Sequence, residues 1–173
     1  THMLSAPALK PRIKAIVLID PVTILLHLPD VAYNFTRRPP KRANEWQLWY
    51  YASMDVGVAL CLGRHFFWRE NILWKDDLLA HFKSIGEQTP RRRVAVCLSG
   101  QDLIVNTPAV ADYLRGTTPR PSQNGSTGAV KPSDDHSADL DVVFFPHLDH
   151  AQVFDNRRDY QRVVDLILSC SRV

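Results

Sequence analysis

The chain has 173 residues, 45% of them apolar and 23% charged, with a formal net charge of +3. That balance fits a globular domain with its own core and excludes a disordered or fibrous chain. No apolar run approaches the roughly 18–20 residues that cross a bilayer and no signal peptide is legible, so no membrane span is expected. Cys61, Cys97 and Cys170 lie far apart in apolar surroundings. They read as three buried free thiols, which fits a reducing, cytoplasmic compartment. The basic runs Arg37-Arg38-Pro39-Pro40-Lys41-Arg42 and Arg91-Arg92-Arg93 read as solvated loops, and no nucleic-acid partner is expected.

Thr1-His2-Met3 has the form of a cloning remnant, so residues 1–12 read as tag and N-terminal extension, with one domain over 13–173. Ala15–Ile19 is a β-branched apolar run closed by Asp20-Pro21, a strand buried on both faces. From Val22 to about residue 90 the pattern is helical. Asp30 is expected to cap a short helix that stops before Pro39-Pro40. Asn44-Glu45-Trp46-Gln47 resembles a capping box, and Trp46, Trp49, Tyr50 and Ser53 follow at helical spacing. This segment carries all four tryptophans. Aromatics so spaced read first as core, with a hydrophobic acyl or aryl pocket as the other reading.

Arg93–Leu98 is the second strand and delivers Ser99-Gly100-Gln101-Asp102. Thr107 as N-cap, Pro108 at the first helical position and Gly116 past the end predict a helix over Ala109–Arg115. Residues 117–139 hold almost nothing to bury and read as a flexible surface insertion. Leu140–Phe145 is the third strand; it stops at Pro146 and passes His147 and His150 to a loop. A last helix over about Arg157–Ser169 places Tyr160, Val163, Val164, Ile167 and Leu168 on one face. The expected class is α/β, a small three-stranded parallel sheet with flanking helices and a helical cap insertion over 22–90. Its first strand would carry an open apolar edge, so self-association is expected.

Histidine and aspartate at the carboxyl ends of buried strands stand where open α/β sheets keep their chemistry. His150 is the candidate general base and Asp102 the carboxylate that orients it, with His147 and Asp20 as the alternative base and acid. His136, His147, Asp149 and His150 lack the helical i, i+4 spacing of a zinc protease or a CxxC partner, so no metal is expected.

Strand–Asp–helix followed by strand–His–helix, with a helical insertion before them, resembles strands six to eight and the cap of an α/β-hydrolase. The resemblance implies a Ser–Asp–His triad in which Asp102 and His150 are acid and base. It also implies an esterase-like activity on acyl substrates and no cofactor. In that family the nucleophile precedes both on a Gly-x-Ser-x-Gly turn, and no such turn occurs in these residues. Ser53, Ser84 and Ser99 lack the context of an activated nucleophile. Two readings follow. The chain is the acid–base half of a serine hydrolase, inactive alone and awaiting a missing N-terminal half, or it is a non-catalytic remnant serving as a protein-interaction module.

Overall fold

The computed structural model describes residues 6–9, 12–13, 15–83, 93–116, 135–136 and 140–171. Four strands, β1 (Ala15–Ile19), β2 (Arg93–Ser99), β3 (Asp135–His136) and β4 (Leu140–Phe145), form one sheet in the order β1-β2-β4-β3. β1, β2 and β4 are parallel, with Val17 opposite Ala95 and Val96 opposite Val142. This is the expected three-stranded parallel sheet in a mixed α/β chain.

The antiparallel β3 lies inside the stretch expected to be a flexible insertion. Asp135 pairs with Val142 and His136 with Asp141. Sheet edges are closed by backbone groups, so a polar dipeptide can cover β4 without any side chain to bury. The rest of 117–139, apart from these two residues, lies outside the described residues.

Side chains alternate across the pleat and supply two cores. Ile16, Val94, Val96, Leu98, Val142 and Phe144 face one side. There they meet Val31 of α1 (Pro29–Thr36), Leu78 of α4 (Lys75–Lys83), and Val110 and Leu114 of α5 (Thr107–Arg115). Cys97, Val143 and Phe145 face the other side, under Val163 of the C-terminal helix, α6 (Arg157–Ser171).

Several local expectations are corrected. Asp30 sits within the first turn of α1 and caps nothing; Leu28 holds the N-cap position and Pro29 opens the helix. α5 is capped by Asn106, whose Oδ1 accepts from the Ala109 N–H at 3.3 Å, while Thr107 is buried. Gly116 ends it at φ 75°, the left-handed geometry a glycine tolerates. α6 presents Val163 and Leu166 to the sheet, buries Cys170, and leaves Tyr160, Ile167 and Leu168 exposed. Its apolar residues span a wider arc than one helix can bury against a narrow sheet. Cys61 is also exposed, whereas Cys97 and Cys170 are buried, and none of the three is in a disulfide.

Between β1 and β2, α2 (Ala43–Leu48) runs on through a π-helical stretch, Trp49–Ser53, where the Met54 N–H bonds the Trp49 carbonyl at 2.9 Å. Asp55 then caps α3 (Val56–Leu60), accepting from the Val58 N–H at 2.8 Å, and α3 widens into a second π-helical stretch, Cys61–His65. The capping interaction of α2 is displaced from its expected place. Glu45 reaches back to the backbone N–H of Arg42 at 3.1 Å, which frees the Asn44 side chain. Trp46, Tyr50 and Tyr51 are exposed, so these aromatics are not core. No described helix is long and apolar enough to cross a membrane.

Candidate functional site

All three parallel strands release their chains at the same end of the sheet, and each contributes to one cluster. β1 leads directly to Asp20, β2 leads through Ser99 to Asp102, and β4 leads through Pro146 to Asp149 and His150. Gly100 allows the last two loops to touch. A Cβ there would stand 2.8 Å from Cα and carbonyl oxygen of Pro146. The Gly100 N–H bonds the Phe145 carbonyl at 2.8 Å, and the Gln101 N–H bonds the Leu148 carbonyl at 2.9 Å.

The loops bring the side chains of Asp102 and His150 into contact. The His150 Nδ1–H donates to Asp102 Oδ2 at 2.7 Å. Asp102 Oδ1 accepts from the N–H groups of Ile104 and Val105 at 2.7 and 2.9 Å. Its side chain is 0% exposed and that of His150 28% exposed. The carboxylate is therefore fixed at the base of the site while the imidazole keeps contact with solvent. Among the described residues no partner occupies His150 Nε2.

Burial works against a charged imidazole, but the hydrogen bond to Asp102 and its charge, with Asp20 and Asp149 beyond, outweigh it. The His150 pKa is held above its ordinary value in consequence.

Asp20 has a different role from the one weighed for it. Its Oδ1 accepts from the Ser99 N–H at 2.7 Å, and its Oδ2 accepts from Ser99 Oγ at 2.8 Å and from the Ala151 N–H at 2.9 Å. The residue is buried. Burial pushes its pKa up, and the charge of Asp102 adds to that, against the lowering effect of the three hydrogen bonds. Asp20 thus ties β1 to the end of β2 and to the histidine loop. Both ends of that last link sit in left-handed backbone, Asp20 at φ 43° and Ala151 at φ 61°.

Asp149, weighed only as a metal ligand, is a second tie. Its Oδ1 accepts from the N–H groups of Leu103 at 2.9 Å and His150 at 2.7 Å. Its Oδ2 accepts from Asn44 Nδ2 at 2.7 Å, which joins the helical segment to the site. Nothing local foretold a partner 105 residues away.

His147 is exposed and, among the described residues, its side chain has no bonded partner. Asp20, Asp102 and His150 offer one ligand atom each within 4.8 Å of one another. Those groups are already hydrogen-bonded to one another or to backbone. Ser99 Oγ donates to Asp20 and Ser53 Oγ donates to the Phe35 carbonyl, so neither is bonded to the imidazole; Ser84 and the side chain of His136 lie outside the described residues.

Compared with family models, with curated proteins and with solved structures, the chain matches none.

Proposed function

We propose that this chain carries the acid and base of a serine-type α/β-hydrolase acting on esters or similar acyl substrates, with the nucleophile lying outside these residues. The observation that carries the reading is the 2.7 Å contact between Asp102 and His150 Nδ1, which leaves Nε2 without a partner among the described residues. In this role Nε2 takes the proton of a serine hydroxyl as that oxygen attacks the acyl carbon. Asp102 stabilises the imidazolium, and Nε2 then returns the proton to the leaving group. The strand order β1-β2-β4 and the helices between β1 and β2 support the resemblance to strands six to eight and the cap of that family.

A fluorophosphonate probe, which labels only an activated serine, tests this. This chain alone should stay unlabelled and show no saturable turnover of a p-nitrophenyl acylate. The product of the complete natural reading frame should be labelled. Asp102→Asn in that product should cut turnover by up to about ten-thousand-fold, because the imidazole loses its orientation and tautomer. An unlabelled full-length product would sink the reading.

A second reading, a non-catalytic interaction module that associates with itself or with another chain, is favoured by one observation. β1 bonds β2 alone, and no described strand covers its outer edge.

A further inference from the structure

The helical segment between β1 and β2 ends in an apolar tip. Residues 46–63 contain a single ionisable acid or base of the Asp, Glu, Lys and Arg set, Asp55, at the turn between α2 and α3. Val56 is 81% exposed, Tyr51 76% and Tyr50 73%, and Met54 and Leu60 are more than half exposed. A soluble surface rarely leaves so much large apolar area together without a use for it. Asp55 is spent on the Val58 N–H and presents a partly compensated charge.

The flanks are cationic. Over residues 37–70 there are six lysines and arginines against three acids. Arg37, Lys41 and Arg42 precede the tip, Arg64 and Arg69 follow it, and all five are exposed. Of the acids, Glu45 lies 3.8 Å from Arg38 and leaves the other cations uncompensated by it at contact distance.

We infer that this helix–turn–helix docks on an anionic lipid surface, its aromatic and aliphatic tip entering the headgroup–acyl boundary and its flanking arginines and lysines lying among the lipid phosphates. Tyrosine and tryptophan suit that depth because their rings are amphipathic. A tip of two helices, each about ten residues long, reaches on the order of 15 Å, enough for the roughly 5–10 Å burial of an interfacial helix. A second copy of the chain fits less well. Two-fold contact through the same tip would bring two net-positive flanks together, whereas an anionic membrane neutralises them.

Sedimentation of the purified chain with vesicles tests this. Retention is expected on phosphatidylcholine vesicles containing phosphatidylserine, weak retention on phosphatidylcholine alone, and release as salt is raised. Tryptophan emission should shift to the blue on binding. Val56→Glu with Tyr51→Glu, at sites too exposed to threaten folding, should weaken retention at least about tenfold with an unchanged circular dichroism spectrum. Arg42→Glu with Arg64→Glu should remove the preference for anionic vesicles. Equal retention on both vesicle types, or none, would overturn the inference. So would a concentration-dependent dimer that Val56→Glu dissolves, since the tip would then belong to a second copy.

Discussion

The Asp102 carboxylate works by being held. Two backbone N–H groups and the imidazole use its oxygens, and no part of the side chain is exposed. A fixed anion beside Nδ1 favours the protonated ring, so an NMR titration should place His150 above the ordinary value of 6.5. Asp102→Asn should bring it down. The same link has a stability consequence with a definite sign. A histidine whose pKa is raised on folding contributes stability that is complete below its unfolded pKa and lost as pH rises through the folded one. The gap in unfolding midpoint between the wild type and Asp102→Asn should therefore be wider at pH about 6 than at pH about 9. A gap that widens with pH would show that the imidazole is neutral when paired. Asp102 and His150 were legible in the sequence because each lies in the loop between a buried strand and a helix. The roles of Asp20 and Asp149 were not, since they depend on contacts with Ala151 and Asn44 that only the folded loops create.

At the scale of elements, the strands were the plainest part of the sequence. Short, mainly apolar runs followed by Pro or Gly allow few other readings, and β1, β2 and β4 begin and end within a residue of expectation. Helix faces were harder. The pattern of α6 offers two overlapping apolar stripes, and the choice between them depends on what the sheet presents. Val143 and Phe145 accept Val163, and the Arg162 guanidinium lies over the Phe145 ring at 4.9 Å, which fixes the rotation of the helix. Substitution should separate the two stripes. Val163 is 2% exposed and Ile167 46%. Val163→Ala should cost about 1–3 kcal/mol by denaturant unfolding, through lost burial and a residual cavity. Ile167→Ala should stay within about 0.5 kcal/mol. Comparable losses at both sites would mean that the outer stripe is covered in solution. The exposed aromatics of α2 follow the same logic, because helical spacing says which residues share a face and nothing about what that face meets.

At the scale of the whole molecule, no described strand covers the outer edge of β1. The Asp20 N–H bonds the Cys97 carbonyl at 2.9 Å. In a strand the bonding direction alternates, so Ile16 and Leu18 also point their backbone groups at β2, while Val17 and Ile19 point theirs outward. Those outward groups, beside apolar side chains that are only half-buried, are a template for another strand. Antiparallel pairing of two β1 strands about a two-fold axis would satisfy them and extend the sheet across both copies. A dimer is therefore expected by light scattering at micromolar concentration. Val17→Pro removes an outward N–H and leaves the bonds to β2 in place, so it should yield a folded monomer. Val56→Glu, at the helical tip, should leave this dimer intact, which separates pairing through the edge from association through the tip. A wild-type monomer whose Val17 and Ile19 amides exchange with solvent as fast as those of a loop would show that the edge stays open, and the pairing would have to be abandoned.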